Sequence, residues 1–592
     1  MRFAICAYDD GETVHLVSCS KGKCSVLEVL PTDLEIAQSS TMLPSEDIAA
    51  QLGISPEYLS PYGRNVAKVD PSVIDTMTDR EQGKYIVVTA ITPTPLGEGK
   101  TTTAVGLAQG FKHIGKTSVL TLRQPSMGPT FGIKGGAAGA GYSQVLPMES
   151  LNLHLTGDFH AITAAHNMLA AMIDNHLYHG NKLDLDPAMI QWRRVMDVND
   201  RSLRNIVIGL GDKADGVTRQ TGFDITAASE VMTTLSLARD ADDLRQRLGR
   251  IVIGRNRSGE FVTAEDLDAA GAMAVILKDA VWPNLLQTTE NTPALIHCGP
   301  FGNIATGNSS VIADRVGLRT SEFVITEAGF GADMGAERFF NIKCRVGNAL
   351  PSAAVLVVTV RALKTHSGRF KVVAGKPLPP EMLLENADDV RAGFDNLRKH
   401  VEIVQGFGIQ PVIAINAFPT DHDSEHDAIR EFAEEMGVRC AVSTHVADGG
   451  AGAADLAREV ALAAEEESHF RPTYEFHQPL TDKIEAVATN VYGADGVSYS
   501  HTAARDLKRF QEAGYGDLPI VIAKTHLSIS SDPKLKGAPT GWTLPVREVR
   551  LAAGAGYVYA IAGDMRTMPG LGASPAAERI DFDNEGRVTG LF

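Results

Sequence analysis

TPTPLGEGKTTT, residues 92–103, is the stretch on which the fold of this chain turns. It follows the apolar run YIVVTA at 85–90 and leads into Ala104, Val105, Leu107, Ala108 and Phe111, whose spacing predicts a helix. A buried strand that breaks into a glycine turn and then opens a helix aims backbone N–H groups at whatever occupies the turn. Gly97 and Gly99 let the backbone approach an anion closely, Lys100 sets a positive charge near the β and γ phosphates, and the Thr101 hydroxyl suits magnesium. Thr94, Pro95, Leu96, Gly97, Glu98, Gly99, Lys100 and Thr101 are therefore the expected ATP-binding loop. It departs from GxxxxGK[ST] only where Thr94 replaces the first Gly. A surface Gly-Lys turn is the plainer alternative, and the strand before, the helix after and the GKT ending weigh against it.

The rest of the chain bounds what such a loop can serve. With 592 residues there is material for several domains, since a single core does not grow that large. A 44% hydrophobic and 21% charged composition is that of a folded globular protein. The formal charge of -17 argues against a nucleic-acid partner, which calls for a concentrated basic surface. No apolar run approaches the ~18 to 20 residues of a membrane span. The first residues carry Asp9, Asp10 and Glu12 and lack a signal-peptide pattern, so a cytoplasmic location is expected. Cys6, Cys19, Cys24, Cys298, Cys344 and Cys440 show no zinc-like pairing beyond a loose Cys19 and Cys24 spacing, and read as reduced, buried thiols.

Residues 1–30 alternate apolar and polar side chains around Asp9, Asp10 and Gly11, as a small hairpin does. From Thr32 a helical lead-in follows, with a cap at Ser45. SVLTL at 118–122 predicts the next parallel strand of a βαβ unit. Arg123 ends that strand, where an α/β sheet places ligand-contacting groups, and its guanidinium suits a small carboxylate or acyl phosphate. Residues 124–146 are rich in glycine, include Lys134, and are interleaved with Phe131, Ile133, Tyr142, Val145 and Leu146, which predicts an ordered loop. His154, His160 and His166 with Asp158 invite a metal reading, but six-residue steps do not share one helix face, so hydrogen bonding is expected of them. Around Glu327, Asp333 and Glu337 the acids fit either a site or an ion-paired surface. AAVLVVTV at 353–360 and PVIAINAF at 411–418 are continuously apolar, as doubly covered parallel strands are. After the second, Asn416 and Asp421 echo the guanine-reading NKxD motif, but the spacing is wrong and the Lys is absent.

The runs TPTPLGEGKTTT, RQPSMGPTFGIKGGAAGAGYSQVLPM and NLHLTGDFHAITAAHN closely resemble the formate–tetrahydrofolate ligase family, and the likeness extends from about Leu34 to the C-terminal GLF. That resemblance implies an ATP-dependent ligation of formate to tetrahydrofolate through formyl phosphate, giving 10-formyltetrahydrofolate, ADP and phosphate, an enzyme of one-carbon metabolism. It implies Lys100 and Arg123 as catalytic residues, Thr101 as magnesium ligand, and a folate site at Phe418 and Val446. A Phe is a sound wall for a flat pterin, although core packing explains most single Phe residues. Val446 stands where the family generally has Trp, and Thr306 where it has His. Relatives form homotetramers and are activated by a monovalent cation, for which no motif is visible here. Two alternatives stay open: a ligase with a different acyl acceptor, and a non-catalytic nucleotide-binding paralogue.

The expected fold is α/β, a P-loop NTPase-like parallel sheet core with additional α/β domains. Residues 1–30 form an extension of unknown role, 31–360 the nucleotide-binding domain with its helical lead-in, 361–480 a second α/β domain contributing to the folate site, and 481–592 a C-terminal α/β domain.

Overall fold

The computed structural model describes residues 5–9, 14–20, 23–27, 31–134, 138–373 and 376–591. At the N-terminus, Ile5–Asp9 and Val14–Ser20 pair antiparallel as the hairpin reading expects, and Lys23–Leu27 adds a third strand. Phe3 and the turn at Asp10 and Gly11 lie outside the described residues. Thr32 caps the helix Asp33–Ser39 through a box with Glu35. Ser45, expected as a cap, is instead the first helical residue of Ser45–Gln51, with Pro44 before it.

A twelve-stranded sheet carries the fold. Its strands include β1 (Leu59–Tyr62), β2 (Val66–Val69), β3 (Lys84–Ala90), β4 (Ser118–Leu122), β5 (Ser143–Leu146) and β6 (Asn284–Thr288). β7 (Pro293–Ile296), β8 (Phe323–Glu327), β9 (Ala353–Val358), β10 (Pro411–Asn416) and β11 (Arg439–Ser443) follow. The spatial order is β11-β10-β9-β3-β8-β4-β7-β6-β2-β1, with β5 pairing β6 from the side. From β11 to β7 every pairing is parallel. Beyond β7 the pairings are antiparallel; residues 289–292 return the chain directly from β6 to β7, and residues 63–65 from β1 to β2. The sheet is therefore mixed, with an antiparallel edge added to the expected parallel core. Residue 360 falls between β9 and β10, which pair with each other in this sheet.

Continuous apolar runs here mean burial on both faces. In β9, Ala354, Leu356 and Val358 enter the core on one side, and Ala353, Val355 and Val357 that on the other. The second face is covered by α1 (Lys100–His113), through Ala104, Val105, Leu107, Ala108 and Phe111. Across from it, helices α2 (Val360–His366) and α3 (Phe394–Gly406) close the first face with Leu363, Leu397, Val401 and Val404. α4 (His445–Gly452) and α5 (Ala454–Glu465) lie on α1. The α4 contact is close because position 106 lacks a side chain: a Cβ on Gly106 would stand 2.4 Å from the His445 Cβ.

The strand expected next to β3 is parallel to it but one place removed, since β8 lies between β3 and β4. That insertion brings the end of β8 beside the loop that follows β3. A smaller sheet of β12 (Ile520–Ala523), β13 (Glu548–Ala552) and β14 (Tyr557–Ile561) lies in the C-terminal part, with Lys524 at the end of β12.

Candidate active site

The phosphate loop leaves β3 through Thr92, which three buried side chains hold. The His366 ring nitrogen Nε2 pairs with the Thr92 carbonyl at 2.8 Å, and the Thr92 N–H donates to Asn396 Oδ1 at 3.2 Å. Asn396 Nδ2 and His400 Nε2 both lie 2.9 Å from the Thr92 hydroxyl. Burial pushes both imidazoles down to about 4, so near neutral pH the clamp carries no charge from them.

Past this anchor the loop braces itself. The Thr94 N–H donates to Glu98 Oε1 at 2.7 Å, and the Gly97 N–H to the Thr94 carbonyl at 3.2 Å. Gly97 and Gly99 both have φ of 76°, a region that favours glycine. Gly99 is the residue from which α1 springs, and no side chain caps the helix. Its first-turn amides are thereby left for an anion, with Lys100 and Thr101 half-buried at the same end. Burial raises the Glu98 carboxyl, against the opposing attraction of Lys100.

Glu327, the last residue of β8, joins Thr101, the expected magnesium ligand, to Arg123, an expected catalytic residue. It accepts the Thr101 hydroxyl at 2.6 Å on Oε2, while Oε1 stands 3.7 Å from Arg123 Nη2. Arg123 also donates to the Pro300 carbonyl at 3.1 Å. Glycines surround its guanidinium: a Cβ on Gly329 would stand 3.4 Å from Nη2, and one on Gly307 3.9 Å from Nη1. Besides the Glu327 carboxylate, glycine backbone thus lies close to this cation. The remaining acids divide otherwise: Asp333 pairs with buried Lys524 at 2.6 Å, and Glu337 accepts Asn341 Nδ2 at 2.7 Å, its carboxyl pushed up to about 7 by burial. The Lys524 pair and the stacking of His526 on Phe330, at 4.6 Å between centroids, bring the C-terminal segment against the end of β8.

On the other side of β3, β9 leads to Arg361 and β10 to Phe418, the residue expected to face the pterin. Phe418 lies two residues past β10, its N–H donating to Asp421 Oδ2 at 2.9 Å. The Arg361 guanidinium covers its ring at 3.3 Å from the centroid. Val446, in α4, meets the glycine-rich segment instead: its carbonyl accepts the Tyr142 N–H at 2.9 Å, and a Cβ on Gly141 would stand 2.8 Å from its Cγ1. Thr306 is buried, its hydroxyl without a hydrogen-bond partner among the described residues. The structure thus brings Thr101 and Arg123 together at Glu327, with Lys100 the first residue of α1 beside Thr101, and places Phe418 and Val446 past the ends of two neighbouring strands.

The glycine-rich segment is ordered where described, ending in β5, whereas the Lys134 side chain and residues 135–137 lie outside the described residues. The histidines hydrogen-bond as expected. His160 Nε2 stands 2.9 Å from His154 Nδ1, and His166 bonds Ser229 and the Arg193 carbonyl while stacking on Trp192. Among the described residues no group of three or more His, Cys, Asp or Glu could hold a metal ion. Magnesium asks for something else, hard oxygen ligands together with nucleotide phosphates, and the Thr101 hydroxyl beside the Glu327 carboxylate fits that need. No sequence pattern singles out Glu327 or Arg361 as a ligand group; their only signal is position, at or just past the end of a strand flanking β3.

A parallel strand, an open helix N-terminus with Lys and Thr in its first turn, and a carboxylate on the neighbouring strand define a phosphate-loop α/β nucleotide-binding protein. A family model described as formate–tetrahydrofolate ligase matches residues 31–592. The chain is 68% identical over 563 residues to a formate–tetrahydrofolate ligase of Cutibacterium acnes, covering 95% of this chain and 100% of that protein. It is 65% identical over 562 residues to one of Saccharopolyspora erythraea, and 63% over 571 residues to formate–tetrahydrofolate ligase 3 of Rubrobacter xylanophilus, with the same coverage. The chain belongs to the formate–tetrahydrofolate ligase family.

Proposed function

We propose that this enzyme joins formate to tetrahydrofolate at the expense of ATP, by way of formyl phosphate, giving 10-formyltetrahydrofolate. The observation that carries the proposal is the sharing of Glu327 between Thr101 of the phosphate loop and Arg123. It sets a guanidinium, suited to a small carboxylate, within one side chain of the start of α1, where the proposal has a nucleotide's terminal phosphate bind.

In the first step a formate oxygen attacks the γ phosphorus, the bond from phosphorus to the bridging oxygen breaks, and ADP departs with that electron pair. Arg123 orients formate, and Lys100 with the amides of the first helical turn holds the transferred phosphoryl. Such transfers are helped chiefly by positioning and charge neutralisation. Magnesium, bound with ATP, would be held by Thr101 and Glu327 and would offset phosphate charge. In the second step a tetrahydrofolate nitrogen attacks the formyl carbon, the carbon–oxygen bond breaks, phosphate leaves, and the nitrogen loses its proton. Phe418 presents a face to the pterin, and Val446 offers a smaller apolar contact than a Trp does.

Activation by a monovalent cation is carried over from the family resemblance, without residues assigned to it. Self-association, a tetramer by the same resemblance, is supported by exposed apolar side chains near the Ile206–Ile208 and Arg219–Thr221 strands, among them Val207 at 50% and Leu210 at 69%. Cys298, Cys344 and Cys440 are free thiols, which suits the reducing cytoplasm. No described helix is long and apolar enough to cross a membrane. The test is absorbance of methenyltetrahydrofolate after acid treatment of a reaction holding MgATP, formate and tetrahydrofolate. The signal is expected only when all three are present. ADP release with formate but no folate product points to another acceptor.

A further inference from the structure

We propose that Asn416 is a positioning residue coupling the phosphate loop to the acceptor wall, so that nucleotide and tetrahydrofolate strengthen each other's binding; this rests on the functional reading above. Asn416 ends β10 and is 1% exposed. Its Nδ2 donates to the Glu98 carbonyl at 3.1 Å. The same nitrogen fills the space over Gly99, where a Cβ would stand 2.3 Å from it. Gly99 is the left-handed residue at the start of α1, and the Glu98 carboxylate holds the Thr94 N–H, so one carboxamide steadies the last turn of the loop.

Asn416 Oδ1 is buried without a hydrogen-bond partner among the described residues, so the bond to Glu98 is what orients the amide. Two residues later stands Phe418, tied to Asp421 and covered by Arg361. If phosphate binding shifts the Glu98 carbonyl, the end of β10, from which Phe418 follows, must move with it or lose its bond. An acceptor that orders Phe418 exerts the same restraint in reverse, and linkage makes the two effects equal. The strand-end Asn that resembles an NKxD motif thus acts here on the loop backbone.

The test is calorimetric titration of the full chain with magnesium and a non-hydrolysable ATP analogue, with and without saturating tetrahydrofolate. Tetrahydrofolate is expected to lower the analogue's Kd about fivefold in the unsubstituted protein, the low end of usual coupling, with an equal effect in the reverse titration. In Asn416→Ala and in the near-isosteric Asn416→Asp the factor is expected to fall towards one. A purely structural residue would weaken each ligand alone and leave the factor unchanged, which would overturn the proposal. Independent binding of both ligands to the unsubstituted protein overturns the coupling alone, whereas absence of any tetrahydrofolate binding overturns the functional reading and the coupling with it. If neither variant folds, hydrogen exchange on the unsubstituted protein decides. The analogue must slow exchange in residues 411–421 and tetrahydrofolate in residues 94–101, and failure of either refutes the coupling.

Discussion

Glu327→Gln keeps the shape of the side chain that links Thr101 to Arg123 and removes its charge. At 3.7 Å the attraction between Glu327 and Arg123 is about 4 kcal/mol at an effective dielectric of ~20, a gross value that desolvation reduces. The carboxylate also accepts the Thr101 hydroxyl at 2.6 Å, where magnesium is expected to be held. Loss of a charge that stabilises the transition state commonly lowers rates ~10²- to 10³-fold, so kcat is expected to fall about 100-fold, or ~2.7 kcal/mol. Arg123 loses a competing anion in the same variant, so the KM for formate is expected not to rise. The two effects are separated by following ADP release while varying formate and MgATP in turn. A kcat within threefold of the unsubstituted enzyme would refute the assignment. So would a tenfold rise in the formate KM at unchanged kcat, which would make Glu327 a support for Arg123 alone.

Lys100→Ala should nearly abolish formate- and folate-dependent ADP release, by at least ~10²-fold, because its charge meets the transferred phosphoryl; wild-type turnover would remove Lys100 from the chemistry. Arg361→Ala should raise the KM for tetrahydrofolate about fivefold and leave that for MgATP unchanged, since a cation–π contact holds Phe418 in place at roughly 0.5 to 2 kcal/mol. Steady-state kinetics with each substrate varied decides that point. Glu337→Gln should stabilise the fold at pH 8 and lose its advantage towards pH 5. The buried carboxyl sits at about 7 against the 4.5 of an ordinary glutamate, so between those values the folded state holds the extra proton and stability falls as pH rises. The shift corresponds to roughly 3 kcal/mol at most, read as the gap between the two denaturation midpoints across that pH range.

Much of the candidate site was legible from short-range pattern. A strand, a glycine turn and GKT are consecutive in the chain, so their geometry is local and residues 92–103 declare it. Arg123 was legible for the same reason, standing at the end of a strand one helix later. The acids near Glu327 were not separable, because Glu327, Asp333 and Glu337 lie within eleven residues on one chemical background. Their separation depends on what each meets: Thr101 and Arg123 for the first, Lys524 for the second, Asn341 for the third. Arg361 was hidden because it sits in α2 and its partner Phe418 follows β10, 57 positions further along the chain.

By itself the sequence determined a phosphate loop, an arginine suited to small anions and a run of apolar strands, since each is encoded in neighbouring residues. Tertiary structure alone decided that β8 enters between β3 and β4 and so delivers Glu327 to both Thr101 and Arg123. It alone turned Asn416 onto the loop backbone. Strand order is settled by packing across the whole sheet, among residues separated in the chain by more than two hundred positions, and no local pattern carries that information.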